Sequence, residues 1–266
     1  MQFSGLELSG AWNFRDTAEQ TGIAPGRLFR SSELSKLDDD GRKALAHFGI
    51  TDVADLRSGN EVARRGPGLV PDGVAVHLLP FHLADDADQD APHESTFQRV
   101  MTEAPDGEDV GESAKRYMTE VYQEFPALPG THTAVRQVIS MLADSRSVIA
   151  HCFAGKDRTG FTVATVLTTV GVPRDAIIAD FLRSNDAVPQ LRESILASIR
   201  ARADIQPEAV TFAEARLTEE VLGVREEYLD TALDVVDAKY GSMPNYLAAI
   251  GVSDDEVRRL RDALTG

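Results

Sequence analysis

The sequence predicts a single α/β domain with a parallel-type central sheet flanked by helices, and three observations predict it. Short apolar runs alternate with segments of helical periodicity, the pattern of a parallel sheet covered on both faces. One such run, Val148-Ile149-Ala150, leads into a loop and then a helix whose Val163, Val166, Leu167 and Val170 share a face. The 266 residues have a hydrophobic content of 42%, enough to fill a sizeable core, and no internal repeat divides them.

The first strand is expected at residues 27–30, after a Pro25-Gly26 turn. Ahead of it Trp12 and Phe14 read as core anchors, and Arg15 beside Asp16 as a local ion pair. Asp38, Asp39 and Asp40 suit the cap and first turn of a helix that runs to about Phe48 and stops at Gly49. Residues 51–56 and 74–79 read as strands, with a short helix at 60–64 between them. Residues 84–112 are crowded with acids from Asp85 and Asp86 to Glu112, opposed only by Arg99, and read as a solvated, mobile acidic insertion. Helices are expected at 113–125 and at 130–144, the second with Val135, Val138, Ile139 and Leu142 on one stripe. Pro173 opens another, and Leu191, Ile195 and Ile199 mark the next. Ser253 and Glu256 fit a capping box before Val257, Leu260 and Leu264. Residues 204–240 hold further apolar positions among many acids, and read either as peripheral helices or as a cover for another part of the fold.

The loop itself is His151-Cys152-Phe153-Ala154-Gly155-Lys156-Asp157-Arg158-Thr159-Gly160. It lies between a strand end and a helix N-terminus, where backbone N–H groups turn inward and the helix adds partial positive charge. Such a turn suits a phosphate dianion, and it equally suits a cysteine thiolate. Arg158 can grip two phosphate oxygens at once and keeps its charge. Gly155 lets the backbone approach phosphate closely.

Residues 151–160 resemble the Cys-x5-Arg signature of the protein tyrosine phosphatase superfamily, in the form used by its bacterial branch of atypical tyrosine and dual-specificity phosphatases. Further blocks are similar to that branch: Gly10-Ala11-Trp12-Asn13-Phe14-Arg15-Asp16, Pro25-Gly26-Arg27-Leu28-Phe29-Arg30-Ser31-Ser32-Glu33-Leu34 and Asp55-Leu56-Arg57-Ser58. Towards the C-terminus, Phe181-Leu182-Arg183-Ser184-Asn185-Asp186 and Gly223-Val224-Arg225-Glu226-Glu227-Tyr228-Leu229 continue the likeness, which spans nearly the whole chain.

The resemblance implies a tyrosine-phosphatase-like fold with an additional C-terminal helical lid at residues 204–240, over the Cys loop. It implies a hydrolase of phosphotyrosine working through a phosphocysteine intermediate, with activity on phosphoserine, phosphothreonine and phosphoinositides as well. Cys152 is then the nucleophile and Arg158 the phosphate clamp. Phe153, Ala154, Gly155, Lys156, Arg158 and Thr159 are the phosphate-binding positions. Thr159 is expected either to donate its hydroxyl to the Cys152 sulfur or to cap the helix, and His151 to orient the loop. Lys156 reads as a solvated charge or as a contact for phosphate or a phosphoinositide headgroup; superfamily lipid phosphatases carry lysines there. The general acid is left between Asp157, which could also be an N-cap, and a loop acid, Asp85 or Asp86. The chain departs from the branch here, reading Phe81-His82-Leu83-Ala84 before its first acid.

A formal net charge of -16 argues against general nucleic-acid binding and against adhesion to anionic membranes. One cysteine allows no internal disulfide and suits a reducing compartment. No apolar run is long enough to cross a bilayer, and residues 1–10 lack signal-peptide features, so integral membrane association is not expected. The chain is expected to be cytoplasmic, or secreted by a route without a cleavable signal peptide. No metal-ligand spacing is present and no cofactor is implied, while oligomeric state is not legible. Two other readings stand beside the hydrolase. One is a phosphoresidue- or phosphoinositide-binding module without turnover, which would need no thiolate. The other is a thiol redox or sulfur-transfer enzyme, against which the missing second cysteine counts.

Overall fold

The computed structural model describes residues 7–83, 109–201 and 207–266. Strands β1 (Arg15–Asp16), β2 (Leu28–Ser31), β3 (Asp52–Asp55), β4 (Ala75–Leu78) and β5 (Val148–His151) form one five-stranded sheet in the order β1-β2-β5-β3-β4. All neighbours run parallel except β1, which pairs antiparallel with β2. β5 therefore lies in the middle, with both faces covered. That is why its sequence is a continuous apolar run rather than an alternation.

Alternation along the other strands divides the interior into two cores. Phe29, Val53 and Ile149 point to one face, where Leu45 and Leu34 meet them. Leu28, Ala54, Val148 and Ala150 point to the other, into a larger core with Val138, Ile139, Phe161 and Val166. After the short α1 (Ala18–Thr21), the smaller core is closed by α2 (Asp39–His47), whose N-cap Asp38 accepts hydrogen bonds from the amides of Asp40 and Gly41. The expected helix at 60–64 is α3 (Gly59–Arg65), held at its start by a capping box between Ser58 and Glu61.

The larger core is packed by α4 (Val110–Glu124), α5 (Pro129–Ala143), α6 (Asp157–Val170) and α7 (Arg174–Leu182). The chain continues through α8 (Val188–Arg200), α9 (Pro207–Arg216), α10 (Glu219–Leu222), α11 (Glu226–Tyr240), α12 (Met243–Ala249) and α13 (Asp254–Thr265). The last begins with the expected Ser253–Glu256 capping box. Within 204–240, α11 is part of the main core: Tyr228, Leu229, Ala232 and Val236 are all buried in it. Asp85 and Asp86 lie outside the described residues, and of the acidic stretch Asp109 is the N-cap of α4. Among the described residues no helix is long and apolar enough to cross a membrane.

Two local expectations need correction. Arg15 and Asp16 do not pair with each other, because neighbours on a strand point to opposite faces. Arg15 Nε reaches Asp180 Oδ1 at 2.8 Å, while Asp16 accepts from the amides of Ala18 and Gly26. Trp12 and Phe14 are half-buried rather than central: Trp12 lies edge-on to Phe153, and Phe14 stacks on Phe29 at 5.8 Å.

Candidate active site

β5 ends at His151, and the chain then turns through residues 152–156 into α6. Along this turn the carbonyls are tied to the outside. Phe153 O accepts from the Glu33 amide (3.0 Å), and Ala154 O from Asn13 Nδ2 (3.0 Å). Gly155 O accepts from Asn13 Nδ2 (3.1 Å) and Arg30 Nη2 (2.7 Å), and Lys156 O from Arg30 Nη2 (3.3 Å). In a trans peptide the N–H opposes the C=O, so fixing these carbonyls outward turns the amides of residues 154–157 to the concave side. The first-turn amides of α6 add to them. Gly155 takes φ +67°, and a Cβ there would lie 2.1 Å from Ser31 O, so only glycine fits.

Beneath the loop lies a buried ionic cluster. Asp180 on α7 pairs with Arg15 Nε (2.8 Å) and Arg30 Nη1 (2.7 Å), and Ser184 Oγ accepts from both guanidiniums. Burial pushes the Asp180 carboxyl up, but the two guanidiniums hold it below its usual range. Burial and the neighbouring Arg30 charge bring Arg15 down to about 10. Gly160 packs directly on the Phe181 ring, 2.6 Å from where a Cβ would sit, which seats α6 on α7.

Arg158 is buried and gripped from behind. Its Nη1 and Nη2 reach Glu61 Oε2 and Oε1 at 2.6 and 2.9 Å, and Nη1 also donates to Leu56 O at 3.2 Å. Burial lowers the tendency of Arg158 to hold its proton, but Glu61 and then Cys152 more than offset it. Glu61 Oε2 also accepts the Ser58 amide at 2.7 Å, so one carboxylate closes the cap of α3 and aims the arginine. Cys152 is buried at the floor of the turn, the one cysteine of the chain. Phe153 lies between Trp12, at 6.3 Å between ring centres, and the Arg65 guanidinium, 4.0 Å above its ring.

The remaining expected site residues are placed as follows. His151 is fully buried, and its Nδ1 donates to Cys152 O at 3.1 Å. Burial lowers its pKa against the opposing pull of Asp55. Thr159 departs from both expectations: among the described residues its buried Oγ1 has no hydrogen-bond partner, neither the Cys152 sulfur nor a helix amide. Lys156 is neither solvated nor turned into the concavity. Its Nζ donates to Asp157 Oδ1 (3.0 Å) and to Gly223 O (3.1 Å). Asp157 opens α6 and accepts the Tyr122 hydroxyl as well, at 3.0 Å. Among the described residues no cluster of His, Cys, Asp and Glu is arranged to hold a metal ion.

A sequence profile of the tyrosine phosphatase family matches residues 6–266. The chain belongs to the tyrosine phosphatase family. The phosphatase is 56% identical to the triple specificity protein phosphatase PtpB of Mycobacterium tuberculosis, over 98% of this chain and 99% of that one. It is 28% identical to a putative tyrosine-protein phosphatase of Cupriavidus necator, over 85% of this chain and 74% of that one. It is 26% identical to a tyrosine-protein phosphatase of Nostoc commune, over 91% and 75%. The phosphatase is thus an enzyme, a cysteine-dependent hydrolase of phosphoric monoesters, and neither the binding-only module nor the redox reading stands.

Sequence reasoning missed Asn13, Arg30, Asp180 and Glu61 as parts of the site. The Ser58-x-x-Glu61 spacing was a readable cap, but nothing in it announces the second task of the carboxylate. Replacing Glu61 with Gln keeps its size and removes the charge behind Arg158. Hydrogen bonds to charged groups contribute about 1.5–3 kcal/mol, so kcat/KM on a phosphotyrosine peptide should fall roughly ten- to a hundredfold. Initial rates of the purified variant measure this; an unchanged kcat/KM would mean that Leu56 O and the loop hold Arg158 unaided.

Proposed function

We propose that Cys152, Arg158 and Asp157 carry the hydrolysis, and that the substrates span phosphotyrosine, phosphoserine and phosphothreonine proteins and phosphoinositides. The observation that carries the proposal is the shared turn: a buried thiol, inward amides and an aimed guanidinium, with a carboxylate at the start of the same helix. The amides and Arg158 receive the phosphoryl oxygens, and Cys152 Sγ attacks phosphorus in line with the leaving oxygen. The phosphorus–oxygen bond breaks, and Asp157 gives its proton to the departing oxygen. Water then attacks the phosphocysteine, Asp157 takes a proton from it, and inorganic phosphate leaves with the thiolate restored. Through both steps Arg158 faces the flattened phosphoryl group, where its charge counts most.

The breadth of substrate is supported by the M. tuberculosis relative, a triple specificity protein phosphatase, and by Lys156. That lysine contacts a headgroup only after leaving Gly223 O, so we propose that residues 204–240 form a lid that shifts as one body, since Val221, Leu222 and Val224 are buried in the same core as Tyr228 and Leu229 of α11. At net charge -16 nucleic acid is not among the partners. For location we propose the cytoplasm, or export by a route that uses no cleavable signal peptide. A single thiol asks for no oxidising compartment to fold.

Cys152→Ser should abolish turnover yet still retain a phosphotyrosine peptide in a binding assay, because Arg158 and the amides remain. Activity near wild type in a verified preparation would end the assignment of the nucleophile. A general acid contributes roughly 10²- to 10⁴-fold, and most where the leaving oxygen is basic. Asp157→Asn should therefore cost far more kcat on phosphotyrosine than on nitrophenyl phosphate. Equal losses on the two substrates would make Asp157 a structural residue of the loop. Comparing kcat/KM over phosphopeptides and phosphoinositide vesicles tests the breadth, and turnover of phosphotyrosine alone would refute it.

A further inference from the structure

Asp157 Oδ1 carries two hydrogen bonds, from the Tyr122 hydroxyl and from Lys156 Nζ, each at 3.0 Å. Both lone pairs of that oxygen are then engaged, so a proton on Asp157 belongs on Oδ2. A carboxylate in the first turn of a helix would otherwise be free to bond the orphan amides there. Here the start of α6 has no side-chain cap, and Asp157 is turned toward α4 instead.

Tyr122 is fully buried on α4, against Phe125 (5.1 Å), Tyr228 (5.7 Å) and Phe181 (6.2 Å). Its neighbour Tyr228 directs its hydroxyl to a backbone carbonyl, that of Glu220. Tyr122 gives its hydroxyl to a carboxylate at the mouth of the Cys loop. Burial, and then Asp157, push its phenol well above its usual value, so it stays protonated and can only donate to that carboxylate. The other charged or titratable groups bearing on the pair are Cys152, Arg30, Arg158, Lys156 and Tyr228.

We propose that Tyr122 is a positioning residue for proton transfer: its hydroxyl fixes Asp157 Oδ1 so that Oδ2 faces the leaving oxygen of the substrate. This rests on the reading of Asp157 as the general acid. Lys156, itself anchored on Gly223 O, is the second arm of the same hold. The carboxylate is thus set from α4 on one side and from the C-terminal segment on the other.

The test is Tyr122→Phe, which removes one oxygen and leaves the ring packing. On a phosphotyrosine peptide kcat should fall about tenfold with KM within about twofold, while nitrophenyl phosphate loses about threefold or less. In an Asp157→Asn background the same change should cost nothing further on either substrate. Equal losses on the two substrates, or an undiminished loss in the Asp157→Asn background, would overturn the proposal. If Asp157→Asn shows leaving-group dependence and Tyr122→Phe does not, this inference falls and the general acid stands. If Asp157→Asn shows none, both fall. Should the Phe variant fail to fold by circular dichroism, 4-fluorophenylalanine at position 122 fills the space without donating, and the same pair of substrates decides.

Discussion

Four successive carbonyls of the Cys loop are held on its outer side, and the site depends on that anchoring more than on any one side chain inside it. Asn13, Arg30 and the Glu33 amide do the holding. Without them the peptides could rotate and present oxygen, not N–H, to a phosphate. An acceptor facing a dianion repels it where a donor attracts it, so the site would change sign. Arg30 is fully buried for this purpose. A buried unpaired guanidinium costs several kcal/mol, which is why Asp180 and Ser184 stand on its other side.

The charge pattern has two scales. Over the whole molecule the net charge of -16 repels phosphorylated partners. Screening confines that repulsion to roughly 8–10 Å at ordinary ionic strength. Within the site Arg15, Arg30, Lys156 and Arg158 stand against Asp180, Asp157 and Glu61. Each carboxylate is engaged from behind or below by a cation. What remains open to an incoming oxyanion is a set of amides and the free edge of one guanidinium. Short-range geometry therefore outweighs the far field, and the phosphatase can be acidic without excluding its substrates.

Much of this was legible in the sequence. Strand, loop and helix around Cys152 follow from a continuous apolar run, a glycine that needs φ +67° and a helical stripe. The caps at Asp38 and Ser253 follow from local side-chain chemistry. What was not legible is contact across the chain. Asn13 meets Ala154, Arg15 and Arg30 meet Asp180, and Tyr122 meets Asp157, all through tertiary packing with no fixed spacing. Adjacent Arg15 and Asp16 invite a local pair, yet strand alternation sends them apart. Thr159 misled as well. A bond to sulfur or a helix cap was expected of it, but among the described residues its hydroxyl has no partner. The hold on Lys156 was not legible either, because its partner Gly223 is distant in sequence.

The hold of Lys156 on Gly223 also sets an order in time. Cys152 is made long before the carbonyl that completes the setting of its loop. At synthesis rates of about 5–20 residues/s the gap is roughly 4–14 s, and closing so distant a contact is among the slower steps of folding. A chain cut short in that interval has its nucleophile but neither the Lys156 anchor nor α11 beneath it. A distant support of the Cys loop is thus among the last parts of its setting to be made.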